Sequence, residues 1–228
     1  MAYGLRIIGS HGVAQIDHEY RNLTLIEKGT LSLATRDIGF SEPVYYGLVG
    51  PKSGLTSPVL ALRPLGDTSC GVWYLSRAGG NWTWQIDGTS GAPGAGQVEW
   101  FLFDVAPSAP ASGFGLAVYT PAGEVAFHHN MKPMRVVGSM VGGRTYAMAI
   151  ADPAYSYSYT NLGESFDMPG YNDYGYASEM NVVVPSIALT RITLSNFITQ
   201  YMPGTQPPNQ PIPPNSHSAK LLLDVTHY

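Results

Sequence analysis

One cysteine, Cys70, in 228 residues excludes an intramolecular disulfide, so the fold must rest on packing or assembly rather than on covalent staples. Charge is scarce as well: Asp, Glu, Lys and Arg make up 12% of the chain, near half of the roughly 25% usual in soluble domains. Twelve basic against sixteen acidic residues, a net charge of -4 with no basic cluster, give a phosphate backbone little to bind, and no nucleic-acid partner is expected. No window approaches 18 consecutive apolar residues, which excludes a spanning helix, and no membrane insertion is expected. The opening MAYGLRIIGS lacks the basic-then-apolar order of a signal peptide, so synthesis in a cytosol is expected, and the sequons at Asn22 and Asn81 read as chance matches.

What is present is glycine, proline and apolar bulk. Twenty-six glycines and eighteen prolines are poorly compatible with helix interiors, while 44% hydrophobic and 11% aromatic residues supply enough apolar surface for a core. Short β-type runs separated by Gly, Pro, Ser or Asp fall at 4–8, 13–16, 23–33, 44–48, 59–62, 71–75, 82–86 and 98–105, then at 115–119, 124–127, 134–137, 146–150, 180–185, 188–197 and 220–225. Leu23, Leu25, Leu31 and Leu33 alternate partly, which predicts one buried face.

The chain also resembles itself. Tyr3-Gly4-Leu5 aligns with Phe114-Gly115-Leu116 at an offset of 111, and in that register Gly12 falls on Gly123, Ile16 on Phe127, and Leu23 and Leu25 on Met134 and Val136. Phe101-Leu102-Phe103-Asp104-Val105 aligns with Leu221-Leu222-Leu223-Asp224-Val225 at an offset of 120. The expected fold is therefore all-β: two tandem, internally duplicated β-sandwich-like domains at 1–107 and 114–228, joined by a small-residue linker at 108–113.

Two segments break the pattern. Residues 145–190 hold five acidic side chains and no Lys or Arg, together with seven of the fifteen tyrosines. The insertion 151–179 reads as a recognition loop in which Tyr155, Tyr157, Tyr159, Tyr171, Tyr174 and Tyr176 contact either a neighbouring subunit or a ligand such as a glycan, with a mobile loop as the third reading. Residues 203–214 carry six prolines, Pro207, Pro208 and Pro211 among them, and read either as an extended arm or spacer with its own contact role or as an ordered surface loop spanning one sheet to the next. Residues 90–96, by contrast, read as a hairpin tip without the Lys and helix start of a phosphate cradle.

Chemistry is hard to find. Six histidines show no metal-ligand spacing, so no metal is expected, and no motif indicates a cofactor. There is no G-x-S-x-G elbow, Cys70 lies in no activating motif, and Asp104 with Asp224 reads as a structural hydrogen-bonding pair. Trp82 and Trp84 share a strand face, as core or as a sugar-stacking platform. No catalytic residue is named, and the chain is expected not to be an enzyme.

The opening Met1-Ala2-Tyr3-Gly4-Leu5-Arg6-Ile7 with Gly12, and the ending Leu221-Leu222-Leu223-Asp224-Val225-Thr226-His227-Tyr228, resemble small minor tail proteins of long-tailed bacteriophages. These share a Y-G-L-x6-G opening, an apolar strand pair and a D-V-T-x-Y ending. The resemblance implies a virion structural protein of the tail tip or baseplate, made in the bacterial cytoplasm and connecting tail hub to fibre. Its implied partners are other tail proteins and further copies of itself, a trimer being one form. The alternative is a host-surface module that binds a glycan or pilus through the tyrosine-rich loop.

Overall fold

In the computed structural model the chain is all-β, with no helix among the described residues. The structure describes residues 6–8, 14–17, 22–36, 44–89, 96–105, 115–150, 155–164, 166, 169–201 and 220–228. In chain order the strands are β1 (Arg6–Ile8), β2 (Ala14–Asp17), β3 (Leu23–Ser32), β4 (Ala34–Arg36), β5 (Val44–Lys52), β6 (Val59–Leu65), β7 (Ser69–Ala78) and β8 (Asn81–Thr89). They continue with β9 (Gln97–Val105), β10 (Ala117–Tyr119), β11 (Val125–His128), β12 (Tyr146–Ile150), β13 (Tyr155–Glu164), β14 (Asn172–Val183), β15 (Leu189–Tyr201) and β16 (Lys220–Asp224).

Five strands form one antiparallel sheet in the order β16-β12-β6-β9-β3. Residues 132–137 close it. On one side the Leu25 amide donates to the Lys132 carbonyl and the Met134 amide to Leu23, both at 2.8 Å. On the other, the Asp224 amide donates to Arg135 at 3.0 Å and the Val137 amide to Leu222 at 2.9 Å. The ring is a small barrel, filled by Ala61, Phe101, Phe103, Ala147, Ala149, Leu223 and Val225, with Leu23, Leu25, Val59, Met134, Val136 and Tyr228 packed around them. Closure leaves these backbone groups no open edge between β3 and β16.

The outer face of β6 and β9 is equally apolar. Leu60, Leu62, Val98, Trp100 and Leu102 pack against Tyr45, Val49, Cys70, Val72, Trp84 and Ile86 of the second sheet, which runs β13-β14-β7-β8-β5-β4 with β15 also on β14. β9 is thus buried on both faces, which explains its continuous apolar run. Strand β3 serves both cores. A register shift between Leu25 and Glu27 turns Leu23 and Leu25 into the barrel but Leu31 toward the sandwich core, where Leu33 is also buried. The expectation of one buried face fails here because a bulge resets the two-residue period. Gly29 lies under the Trp100 indole, whose nearest atom would stand 2.7 Å from an added Cβ.

Pairings repeat along the chain. β1 pairs with β2 as Arg6↔Asp17, Ile7↔Ile16 and Ile8↔Ala14; β10 pairs with β11 as Ala117↔His128, Val118↔Phe127 and Tyr119↔Val125. Every number in the second set exceeds the first by 111, and the register slips at the same step. Within the barrel, Leu25↔Phe103 has its counterpart in Val136↔Leu223. Ala61 faces Phe101 as Ala149 faces Leu221, and Ala61 and Ala149 face each other across the antiparallel β6–β12 pair. A local two-fold axis passes there and again between Leu23 and Met134, on the far side of the barrel.

The boundary at 108–113 does not separate two sheets. Strands β12 and β16 of the second half belong to the sheet of β3, β6 and β9, and β14 joins β7 at Val183↔Cys70. Each half contributes only three barrel segments, too few to close a core alone, so the halves complete one another. Residues 90–95, most of the expected hairpin tip, lie outside the described residues; β8 and β9, which flank them, lie in different sheets. The linker residues and the whole of 203–214 lie outside the described residues.

Candidate functional site

The tyrosine-rich segment is β-sheet rather than a loop. Tyr155, Tyr157 and Tyr159 lie on β13, Tyr174 and Tyr176 on β14, and Tyr171 is half-buried at the entry to β14. The alternation Tyr-Ser-Tyr-Ser-Tyr at 155–159 is itself a strand signal, since aromatics favour pleated surfaces and a period of two puts all three on one face. Cross-strand register adds the rest. Tyr159 stands opposite Tyr176, Asn161 opposite Tyr174, and Tyr155 opposite Met180. On β15, Phe197 pairs with Tyr176, Tyr201 with Asn172 and Ile192 with Met180.

Strands β13, β14 and β15 therefore carry seven aromatic residues on a common face: Tyr155, Tyr157, Tyr159, Tyr174, Tyr176, Phe197 and Tyr201. Five of the six tyrosines singled out from the sequence are among them; Phe197 and Tyr201 emerge only from register, and Tyr171 precedes the strand. Pro207, Pro208 and Pro211 lie outside the described residues. Along β14 the same face continues into Met180 and Val182, which are buried in the body of the molecule. The opposite face holds Ser156, Ser158, Thr160, Gly175, Ala177 and Glu179, a small and polar set. Between β13 and β14, Phe166 is 95% exposed.

This blade is long and thin. Twelve residues of β14 at about 3.3 Å each span roughly 40 Å. Among the described strands β13 and β15 each pair with β14, and β14 joins the body by pairing with β7 at Val183↔Cys70.

The other chemical candidates are committed to structure. Cys70 is fully buried beside Val72 and Ile86, and burial pushes its thiol well above the usual range, which disfavours the thiolate. The Asp104 carboxylate accepts from the Thr56 and Ser57 amides, both at 2.7 Å, holding the loop before β6. Its counterpart Asp224, also buried, is bonded by the Arg144 guanidinium and lies 3.7 Å from Arg135, while Thr226 donates its amide at 3.0 Å. Burial alone would raise the Asp224 pKa; the Thr226 bonds and the two arginines outweigh it and hold the carboxyl below its usual value. Arg135 also lies over the Tyr228 ring at 5.0 Å.

Trp84 is buried, and Trp82 stacks on it at 6.2 Å beneath the Arg77 guanidinium, so this pair is core rather than an open sugar platform. The His128 and His129 rings lie 4.4 Å apart, yet no group of three metal-capable side chains occurs among the described residues. No helix among them is long and apolar enough to cross a membrane. Comparison with family models, with curated proteins and with solved structures finds no match.

Proposed function

We propose that the chain is a structural protein of a bacteriophage tail tip or baseplate, joining hub to fibre through protein–protein contacts. The observation that carries this reading is the blade: a one-sided aromatic sheet face running off a closed core, in a chain whose ends resemble minor tail proteins. Aromatic residues are enriched in interface cores, and tyrosine gives large contact area at little entropic cost. The polar groups that could do chemistry cap loops and pair with arginines instead.

The test is peptide mass spectrometry on tailed particles banded from the source culture, with copy number set against the major tail protein. A few fixed copies per particle is the expected result. Absence from particles overturns it and moves the chain to the second reading, a host-surface module acting through the same tyrosines. Removing residues 155–176 separates the two: loss of particle assembly belongs to the tail-tip reading, and loss of adsorption alone belongs to the host-binding one.

A further inference from the structure

We infer that the open edge of β7 from Tyr74 to Ala78 is a docking edge, and that its occupant is the same edge of a second copy of this chain, paired antiparallel across a two-fold axis through Ser76. The inference deepens the self-association within the proposed function and rests on that part of it.

Backbone geometry opens the edge. β7 pairs with β8 from Ser69 to Ala78, but on its other side β14 meets it only at Val183↔Cys70. Gly79 and Gly80, at φ 57° and 80°, make a two-residue hairpin turn. Such a turn is closed by a hydrogen-bonded pair, here Ala78↔Asn81, and the pairs behind it alternate. Ser76 and Tyr74 therefore bond to β8. The amides and carbonyls of Leu75 and Arg77 point away from it and meet no backbone partner among the described residues. The side chains beside them are open as well: Tyr74 is 58% and Leu75 42% exposed, and Arg77 and Ala78 are exposed. Unmet backbone groups flanked by exposed apolar side chains are a template for another strand.

Self-complementarity selects the occupant. The register on β8 slips between Val72 and Tyr74, so the regular stretch runs from Tyr74 to the turn, with Ser76 at its middle. A two-fold axis through Ser76 uses all of it. Leu75 of each copy then stands opposite Arg77 of the other, and since both point their backbone groups outward, each pair exchanges two hydrogen bonds. Ser76 meets Ser76 hydroxyl to hydroxyl, and Tyr74 lies across from Ala78, large against small. Arg77 carries the one charge of the stretch, and its guanidinium lies over the Trp82 ring of β8 at 4.9 Å, drawn back from the edge. Moving the axis to Arg77 would set like charges face to face, and moving it to Leu75 would run the pairing into the register slip. An isologous contact of this kind closes on itself.

Area sets its strength. A stretch this short falls below the roughly 800 Å² per partner of a standard complex. The contact is therefore weak in free solution and gains strength where other contacts already hold the copies together.

The experiment is a disulfide trap on the full chain. Across the axis Ser76 faces its own copy in a non-hydrogen-bonded pair, with Cα atoms about 4.5 Å apart, a separation that a disulfide spans. Ala78 is the control, because two copies of it stand more than about 13 Å apart in the same register. Ser76→Cys, Ala78→Cys and the unaltered chain are oxidised with copper phenanthroline and read on non-reducing gels; Cys70 is fully buried and takes no part. Ser76→Cys is expected to form a covalent dimer at least about tenfold faster than Ala78→Cys, while the unaltered chain forms none. Adding Leu75→Lys, which sets a second cation against Arg77, is expected to bring Ser76→Cys down to the rate of Ala78→Cys. Denaturation midpoints report the folding of each variant. Equal rates for the two cysteine variants overturn the inference, as does a trap that survives Leu75→Lys. Should the lysine disturb folding, Leu75→Glu sets a carboxylate against Arg77 and is expected to speed the trap instead; an unchanged rate overturns the inference. Particle mass spectrometry reads the tail assignment separately, so a chain absent from virions that still forms the trapped dimer fails only the former.

Discussion

The barrel and the blade are built from the same chemistry and differ in how their strand edges are met. In the barrel each strand meets a neighbour on both edges, and β9 has apolar partners on both faces. In the blade the outer edges of β13 and β15 meet no described strand. Stability in the first is internal to the chain. In the second, three strands are tied to the body through the pairing of β14 with β7 at Val183↔Cys70.

The widest separation between the two regions should come from the barrel interior. Phe103 is fully buried and its counterpart Leu223 is too, at equivalent places about the local axis. Truncating either to alanine removes packing that a closed ring cannot collapse to refill, at a cost of about 3–5 kcal/mol for Phe103→Ala and about 2–5 kcal/mol for Leu223→Ala. Chemical denaturation of each variant measures this. The comparison breaks if either substitution costs under 1 kcal/mol, or if lysine at Tyr157 and Tyr176 destabilises the body as much as Phe103→Ala does.

Asp224 sharpens the comparison through pH, since its carboxylate is buried in the barrel wall between two arginines that are only partly so. Removing one partner of a buried pair costs about 3–5 kcal/mol; the arginines' access to water reduces this to about 2–3 kcal/mol for Asp224→Asn at neutral pH. The folded-state pKa lies below the usual value. The stabilisation is therefore complete above the unfolded pKa of about 3.9 and disappears as pH falls through the lower folded value. Unfolding free energies measured from pH 7 to pH 2 should converge for the unaltered chain and Asp224→Asn only below about pH 4. A difference that persists unchanged at pH 2 would mean that the carboxylate's charge is not what matters.

Alternation and turn residues predict fifteen strands, and fourteen of these positions hold strands; 134–137 instead makes the bridging bonds that close the barrel. Two further strands carry a weaker signal: β4 is three residues long, and β13 has the tyrosine and serine composition of a contact loop although its spacing is that of a strand. The repeat offsets of 111 and 120 were legible, but their geometric meaning was not. Self-similarity identifies equivalent segments and is silent on whether each closes its own core or borrows from the other. Here β6 and β12 run antiparallel across a two-fold axis, so equivalent units point in opposite directions. The candidate face was half legible: the tyrosines of β13 and β14 could be named, whereas Phe197 and Tyr201 join them only through hydrogen-bond register some twenty to forty residues away.

The smallest expected effect tests whether the aromatic-Gly-Leu signature is structural. Gly115 precedes β10, and a Cβ there would fall on the His129 imidazole, within 1.8 Å of Nδ1. The His129 amide meanwhile donates to the Leu116 carbonyl at 2.9 Å, fixing the two segments together. That close approach leaves no room for a Cβ while the His129 ring keeps its place. His129 is exposed, however, so its ring can swing into solvent, and Gly115→Ala should cost only about 1 kcal/mol, below any barrel substitution. Adding His129→Ala removes the obstacle and should recover most of the loss, a non-additive pair that a double-mutant cycle reads directly.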